Sequence, residues 1–171
     1  FLKSNNIKSG DRVAAYLPNI IETVEYFIGT SAIGAIWSSC SPDFGVKGVI
    51  ERFAQIKPKI LVIADRYYYN GKEINVIERL PEILKKIKSI KRVVVLSYPG
   101  KKLTKFKKIK GIKYFYSEDI KNIQETNHVL KKFNFNHPLA ILYSSGTTGK
   151  PKCICHRTGG VLLQHLKEHQ L

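Results

Sequence analysis

Apolar residues fall into short clusters along the chain, and longer segments with helical spacing lie between them. The clusters are four or five residues long and lie at residues 13–17, 60–64, 93–96, 112–116 and 139–143. Runs of this length, bounded by turn residues, predict buried strands. Between them, apolar residues recur every three or four positions, as they do on one face of a helix. This alternation predicts an α/β fold with a largely parallel sheet flanked by helices.

Turn-forming and helix-breaking residues delimit the predicted helices. The spacing over residues 20–36 predicts the first helix. Ser41 and Pro42 are expected to cap a second helix. The Ser hydroxyl can accept a hydrogen bond from a free N–H group of the first turn, and the N–H group that Pro lacks would have no partner there. The second helix is expected to end before Pro58, and a third is expected to restart at Pro81.

The remaining segments are richer in polar residues and predict turns and loops. Residues 37–45 are predicted to form a polar turn, and residues 65–72 a tyrosine-rich loop that closes with an Asn-Gly pair. Residues 117–119 suit the start of a helix, and residues 124–137 predict a loop or a weak helix. No internal repeat or low-complexity linker divides the chain.

Length and composition indicate one packed domain or a large piece of one. The chain has 171 residues, of which 43% are hydrophobic, and this is enough for a packed core. It contains no Met and begins at Phe1, so we expect an internal fragment of a longer protein. No apolar run approaches the ~20 residues that span a bilayer, so no membrane segment is expected.

The net charge of +16 is concentrated in one region. Residues 85–113 contain twelve Lys or Arg residues and no acidic residue. Such a segment suits either a surface for nucleic acid or acidic lipid, or a solvated lysine-rich surface. We favour the solvated surface, because Lys predominates over Arg, and Arg is the better residue for two-point contacts with phosphate. No nucleic-acid partner is therefore expected.

The three cysteines predict reduced thiols and not a disulfide framework. Cys40, Cys153 and Cys155 make an odd number, which favours a reducing, cytosolic setting. Cys40 has no histidine nearby in the sequence to act as its base, so it is not expected to be a nucleophile. His128 and His137 lie in polar surroundings and are expected at the surface.

The sequence around the last two cysteines superficially suggests zinc, because Cys153, Cys155 and His156 are followed by His165 and His169. A zinc finger usually has two to four residues between its cysteines, and here there is only one. In a strand the two cysteines would share one face. We therefore expect them to be small core residues and not metal ligands.

The most distinctive chemistry lies in residues 143–152, which we call the phosphate loop. Gly146 and Gly149 permit tight turns, so that successive backbone N–H groups can face one concavity. Ser and Thr residues add short donors, and Lys150 and Lys152 add positive charge. Ligands of open α/β sheets bind beyond the carboxyl ends of the strands, where this segment is predicted to lie. The phosphate loop is therefore expected to bind a polyphosphate.

The spacing excludes the P-loop of nucleoside triphosphatases, which has four residues between its glycines and then Lys-Ser or Lys-Thr. Gly146 and Gly149 have only two residues between them, and Lys150 is followed by Pro151. The sequence then resumes a strand-like pattern where a P-loop would begin a helix. The dinucleotide-binding pattern G-x-G-x-x-G is also absent from the chain.

Residues 141–152 instead resemble the corresponding loop of the adenylate-forming superfamily. That pattern is an apolar residue, small hydroxyl residues, Gly-Thr-Thr-Gly, any residue, Pro and Lys, and it is matched throughout. The superfamily includes acyl-CoA synthetases, luciferases and the adenylation domains of non-ribosomal peptide synthetases. Residues 34–46, 52–59, 69–72 and 159–169 are most similar to the acyl-CoA synthetases that activate acetoacetate. The resemblance covers nearly the whole chain and is weakest between residues 85 and 137.

This resemblance implies that residues 1–171 are the central part of a large N-terminal AMP-binding domain. Such enzymes use ATP to convert a carboxylate, here acetoacetate, to an acyl-adenylate, and then transfer the acyl group to CoA. The resemblance implies contacts with the ATP β- and γ-phosphates from Ser144, Ser145, Gly146, Thr147, Thr148, Gly149 and Lys152. Lys152 is expected to supply the main charge, whereas Lys150 matches a variable position and is expected to be solvated.

The resemblance also implies a CoA contact at Lys72. Acetyl-CoA synthetases carry an Arg-Gly-Gly-Lys stretch whose Arg contacts a CoA phosphate. The matching stretch here, residues 69–72, lacks that Arg and keeps only Lys72. A solvated turn lysine is an equally good interpretation. The family places its catalytic Lys and its acidic magnesium ligand elsewhere, so this chain alone is expected to be inactive.

Two alternatives stay open. One is a related short-chain acyl-CoA synthetase for acetate or propionate, because most of the acid pocket is expected beyond residue 171. The other, which we favour less, is a basic nucleic-acid-binding module that uses residues 85–113.

Overall fold

The computed structural model describes residues 1–121, 130–144 and 149–170. Its strands are β1 (Arg12–Tyr16), β2 (Ile36–Cys40), β3 (Ile60–Ala64), β4 (Arg66–Tyr69), β5 (Lys72–Asn75), β6 (Arg92–Leu96), β7 (Lys113–Tyr116), β8 (Pro138–Ser144) and β9 (Lys152–Arg157). Its helices are α1 (Ile21–Ala32), α2 (Val46–Ile56), α3 (Leu80–Lys86), α4 (Ser117–Lys121) and α5 (Thr158–Gln170).

Seven of these strands form one sheet in the order β7-β6-β3-β1-β2-β8-β9. Every neighbouring pair in this sheet is parallel except β8 and β9, which are antiparallel. The α/β fold with a largely parallel sheet flanked by helices is therefore confirmed. Because β1, β2, β3, β6, β7 and β8 run in the same direction, their carboxyl ends meet at one side of the sheet, which we call the carboxyl edge.

The core lies on both faces of the sheet. On β3, Leu61 and Ile63 pack on the face that α2 and α3 cover with Phe53 and Ile83. The alternating residues of β3, such as Val62, pack on the opposite face. A strand buried on both faces is apolar throughout, which is why the sequence of residues 60–64 predicts a strand correctly.

The predicted polar turn over residues 37–45 is wrong for its first half, because Ile36–Cys40 forms β2 in the interior of the sheet, and correct for residues 41–45, which form a loop before α2. Its polar residue Ser38 is fully buried, and its hydroxyl donates to the carbonyl oxygen of Ile141 on β8 at 2.8 Å. Because this partner is distant in the sequence, the polar residues of the strand look like those of a turn in the sequence alone. The first helix is correspondingly shorter than predicted, and Gly34 follows it with a φ of 72°.

The predicted tyrosine-rich loop over residues 65–72 is also wrong. Strands β4 and β5 pair there as an antiparallel hairpin, with Tyr69 opposite Lys72. Asn70 and Gly71 have φ values of 48° and 73°, which is the left-handed pair that a tight type I′ turn needs. The hairpin forms a second, two-stranded sheet next to the main one.

Of the two helix starts predicted at a proline, the one at Pro81 is confirmed and the one at Pro42 is wrong. Ser41 and Pro42 do not cap α2, which begins at Val46 after Gly45 without a side-chain cap. The Ser41 hydroxyl donates instead to a carboxylate oxygen of Asp43 at 2.7 Å. The restart at Pro81 is confirmed, because a 3-10 turn spans Ile77–Arg79 and α3 begins directly after it with Pro81 in its first turn. Within the described ranges, no helix is both long and apolar enough to cross a membrane.

One buried carboxylate ties the hairpin to the segment that follows β6. Asp65 is 0% exposed and accepts hydrogen bonds from the Arg66 guanidinium and from the backbone N–H groups of Tyr98 and Thr104, at 2.8 to 3.1 Å. Burial acts to raise the pKa of Asp65, but these donors outweigh burial and hold the pKa below its ordinary value of 3.8. The ionised carboxylate thus organises both segments.

We expect Asp65→Asn to lower the free energy of unfolding by roughly 3 kcal/mol, because an amide presents N–H groups to donors and leaves Arg66 without its buried partner. Urea unfolding of the chain measures this change. The matched control is Glu73→Gln, which removes the exposed partner of the same guanidinium and should cost less than about 1 kcal/mol.

The same interaction predicts a pH dependence. A carboxyl group with a lowered folded pKa contributes stability above its unfolded pKa, near 3.8, and loses this contribution as the pH falls through the folded value. The wild-type chain should therefore lose more stability than Asp65→Asn when urea unfolding is repeated below pH 3.8. Equal losses in both proteins would contradict the role of Asp65.

Candidate phosphate-binding site

The phosphate loop connects two adjacent antiparallel strands, β8 and β9. Tyr143 lies opposite Cys153, and Ser144 lies opposite Lys152. The register therefore closes the loop at its base and brings a hydroxyl and an ammonium group to opposite positions at the carboxyl edge. Of the predicted phosphate ligands, the structure describes Ser144, Gly149 and Lys152. The other four, Ser145, Gly146, Thr147 and Thr148, lie outside the described residues.

The described part of the loop has the properties that an anion site needs. Gly149 has a φ of 130°, a conformation that residues with a side chain rarely adopt. Lys152 is exposed and forms no ion pair within residues 1–121, 130–144 and 149–170. Lys150 is also exposed, as predicted for a solvated residue. An ammonium group without a carboxylate partner can neutralise a phosphate at low cost in free energy.

Strand β8 is held in place by a buried polar contact with β2. Besides its bond to the Ile141 carbonyl, the Ser38 hydroxyl forms a hydrogen bond with the Tyr143 hydroxyl at 3.0 Å. Burial raises the pKa of Tyr143 well above its ordinary value, so the phenol is neutral at physiological pH. The residue before Ser144 is therefore fixed from inside the sheet, and this limits how far the start of the loop can move.

A second loop at the carboxyl edge, residues 41–45, joins β2 to α2 and is fixed by a buried tyrosine and an arginine. The Tyr16 hydroxyl, at the end of β1, bonds to the carbonyl oxygens of Pro42 and Phe44. The Arg79 guanidinium donates to the same two carbonyls, at 2.8 and 3.2 Å, and to the Tyr16 hydroxyl. No local pattern in the sequence points to Tyr16 or Arg79, because their partners are distant in the chain.

This second loop also contacts the hairpin. Hydrogen bonds from Ser41 and then Tyr67, on β4, lower the pKa of Asp43, which is therefore ionised at physiological pH. Loop 41–45 thus lies between the hairpin and α2. The sequence predicts it only as part of a polar turn, and its position at the carboxyl edge follows from the structure.

The predicted CoA contact, Lys72, lies on the hairpin and not on the phosphate loop. It is exposed in the pair that closes the turn. The hairpin faces the lysine-rich segment that Asp65 holds. Lys101 Nζ lies 5.8 Å from the centre of the Tyr68 ring, and the Tyr68 and Tyr98 rings pack edge to face at 5.0 Å. Tyr68 pairs with Glu73 and Tyr69 pairs with Lys72, so the Tyr68 side chain that Lys101 contacts and the Lys72 side chain lie on opposite faces of the hairpin.

The expectation that Cys153 and Cys155 are core residues is wrong. They lie on a strand, as predicted, but β9 is the edge strand of the sheet, and both side chains are exposed. Cys40 is buried, and burial raises the pKa of its thiol to about 12. In the described part of the chain, no group of three His, Cys, Asp or Glu side chains could hold a metal ion.

The surface position predicted for His137 is only partly correct. His137 is half-buried, its Nε2 lies 2.9 Å from the Gly34 carbonyl oxygen, and its ring stacks on Phe133 at 4.7 Å. A Cβ added to Gly34 would lie 2.4 Å from Phe133, so only glycine allows this packing. His128 lies outside the described residues.

The fold and the phosphate loop define a class of protein, and comparison with known proteins agrees. The family model of the AMP-binding enzyme matches residues 1–170, so the chain belongs to this family. The chain is 45% identical to the acetoacetyl-CoA synthetase of Xenopus tropicalis over 174 residues, which cover 99% of the chain. It is 44% identical to the acetoacetyl-coenzyme A synthetase of Rhizobium meliloti over 169 residues.

A solved structure shows the same architecture. The acetoacetyl-CoA synthetase from Streptomyces lividans superposes with a TM-score of 0.88 and 36% identity, over 99% of this chain and 25% of that one. The chain spans about a quarter of the length of the curated relatives it matches, 26% for those from Xenopus tropicalis and Rhizobium meliloti. The similarity therefore concerns one part of those proteins, the part that contains the phosphate loop.

We expect the three thiols to differ in reactivity. Ellman's reagent at neutral pH should titrate Cys153 and Cys155 in the folded chain, because both are exposed, and should reach Cys40 only after denaturation. In Cys40→Ala, the number of thiols titrated in the folded chain should be unchanged, and denaturant should add none. Rapid titration of all three thiols in the folded chain would contradict the burial of Cys40.

Proposed function

We propose that the protein containing this chain is an acetoacetate–CoA ligase, and that this chain forms the phosphate-binding part of its N-terminal AMP-binding domain. The observation that supports this most directly is the phosphate loop itself, closed at the carboxyl edge by the pairing of Ser144 with Lys152. Its relatives from Xenopus tropicalis and Rhizobium meliloti, named acetoacetyl-CoA synthetases, match 99% of the chain at 44–45% identity.

The proposed reaction has two steps. In the first, a carboxylate oxygen of acetoacetate attacks the α-phosphorus of ATP. A phosphorus–oxygen bond forms to the acid, the bond that bridges the α- and β-phosphates breaks, and pyrophosphate leaves with the electron pair. In the second step, the sulfur of CoA attacks the acyl carbon, and AMP leaves as the carbon–oxygen bond breaks. The thiol proton passes to solvent or to a base outside this chain.

The phosphate loop serves the first step, because negative charge accumulates on the departing pyrophosphate. We assign Lys152 to this charge, with the Ser144 hydroxyl and the Gly149 backbone N–H as further donors. Donors that are already in place stabilise the developing charge without reorganisation. The four undescribed residues, Ser145, Gly146, Thr147 and Thr148, are proposed as ligands on the sequence pattern alone.

CoA and magnesium enter the proposal differently. Lys72 is proposed to contact a CoA phosphate from its exposed position beside the turn of the hairpin. Magnesium accompanies ATP in phosphoryl chemistry, but the described residues offer it no cluster of ligands. We therefore assign no magnesium ligand and derive no step through the ion. The three free thiols support a reducing, cytosolic location.

The identity of the acid is tested by ATP–pyrophosphate exchange with the complete translated protein. We expect kcat/KM for acetoacetate to exceed the values for acetate and propionate by at least about tenfold, the usual discrimination of a pocket shaped for a larger acid. Equal or faster exchange with acetate or propionate would replace acetoacetate in the proposal. The 171-residue chain assayed alone should form no acetoacetyl-CoA.

The role of Lys152 is tested in the same assay. Lys152→Ala should lower kcat/KM for ATP by roughly tenfold to a hundredfold, because a hydrogen bond to a charged group is lost. Lys152→Arg should recover part of the loss. Lys150→Ala is the matched control, since it removes a neighbouring exposed lysine, and its kinetics should change by less than about twofold. Unchanged ATP kinetics in Lys152→Ala would remove Lys152 from the site.

A further inference from the structure

Helix α2 contacts the C-terminal end of the phosphate loop through Gln55. The Gln55 Nε2 group donates to the carbonyl oxygen of Pro151 at 2.9 Å and to the carbonyl oxygen of Glu51 at 2.7 Å. Pro151 is buried although the residues on either side of it are exposed. Because Pro151 immediately precedes Lys152, this hydrogen bond fixes the backbone from which the proposed phosphate-binding ammonium group extends.

The same helix contacts the N-terminal end of the loop through Arg52. The Arg52 guanidinium carbon lies 5.8 Å from the centre of the Tyr143 ring and 4.1 Å from the centre of the Phe44 ring. Its Nη1 group donates to the Gly48 carbonyl oxygen at 3.0 Å, which keeps the side chain folded back along α2. The guanidinium is therefore held between the aromatic residue before Ser144 and loop 41–45.

Gly48 makes this arrangement possible. A Cβ at this position would lie 3.3 Å from the Phe44 ring and 3.4 Å from Arg52 Nη1, which is tighter than ordinary packing. The absence of a side chain lets the Phe44 ring and the Arg52 guanidinium stack close to the helix. The spacing of Gly48, Arg52 and Gln55 puts all three within two turns of one helix.

We propose that Arg52 and Gln55 are positioning residues for the phosphate loop, holding its two ends at a fixed separation on α2. This inference rests on the proposed function, because it assigns the loop to the pyrophosphate of ATP. Neither side chain needs to touch ATP. Each restrains the backbone on one side of the undescribed loop centre, so that the donors are in place before charge develops.

The proposal predicts that the two half-reactions respond differently. Adenylation requires the pyrophosphate to be held, whereas transfer of the acyl group from a preformed acyl-adenylate to CoA does not. Loss of either positioning residue should therefore slow ATP–pyrophosphate exchange and leave thioester formation from acetoacetyl-adenylate and CoA unchanged. A variant that merely folded less well would lose both half-reactions in proportion.

The experiment uses the complete translated protein with four substitutions. Gln55→Ala removes the hydrogen bond to the Pro151 carbonyl. Gln55→Glu keeps the shape of the side chain but places a carboxylate oxygen, which cannot donate, next to that carbonyl oxygen. Arg52→Lys keeps the charge but loses the planar stack on the two rings. Lys47→Ala, on an exposed position of α2, is the control. Circular dichroism and thermal unfolding confirm that each variant is folded.

We expect the three test variants to raise the KM for ATP in pyrophosphate exchange by about threefold to tenfold, as for one lost hydrogen bond. Transfer from acetoacetyl-adenylate to CoA should stay within about twofold of wild type. Unchanged exchange in all three, or a parallel loss of both half-reactions in folded protein, would overturn the inference. If wild-type protein catalyses no exchange with any acid, the proposed function fails instead, and the two failures are thus distinguishable.

Discussion

The reversal of chain direction between β8 and β9 is the constraint on which the site depends. A parallel successor to β8 would need a crossover of a dozen or more residues, usually through a helix, whereas an antiparallel one can follow directly. Here Ser144 and Lys152 are paired, so the chain turns back within the phosphate loop. This agrees with a sequence in which Lys150 is followed by Pro151 and then by a strand, β9. A nucleoside triphosphatase P-loop leads into a helix, and the N-terminal N–H groups of that helix face the phosphates. The present loop cannot adopt this geometry, because it leads into strand β9.

The carboxyl edge is kept rigid by buried polar groups whose partners come from other elements. Asp65, Tyr16 and Ser38 are each buried, and each bonds to a segment that is distant from it in the sequence. A buried polar group without a partner costs about 1–3 kcal/mol, so these contacts favour one arrangement of the edge over its alternatives. The stability of the fold and the order of the site therefore depend on the same contacts.

The sequence predicts best those elements whose environment is uniform. Residues 60–64 are buried on both faces and apolar throughout, so their strand is evident without knowledge of their neighbours. Ile36–Cys40 is equally central, but its Ser38 is satisfied by Ile141, which no local pattern reveals. Cys153 and Cys155 show the converse error, since a correct strand assignment cannot show that the strand lies at the edge of the sheet.

The candidate site divides in the same way between local and distant information. The phosphate loop is contiguous, so its residue types and spacing identify it from the sequence alone. Arg52 and Gln55 lie far from it in the sequence, and nothing in their own surroundings distinguishes them from ordinary polar residues on a helix. The hairpin has a strong local signal, the Asn70-Gly71 turn, but the surrounding tyrosines favour a loop. Residues that position a site are generally found only through tertiary contacts.

The contacts around loop 41–45 connect the two regions that the proposed reaction uses in succession. Tyr67, on the hairpin that carries Lys72, helps to lower the pKa of Asp43, and Phe44 packs on Arg52, which contacts the phosphate loop at Tyr143. The first half-reaction ends when pyrophosphate leaves, and the second requires CoA to bind. Because loop 41–45 adjoins both regions, a movement of this loop would change the position of residues in both. Tyr16 and Arg79 restrain that loop through its backbone carbonyls, so the proposed phosphate site and the proposed CoA contact adjoin one fixed element.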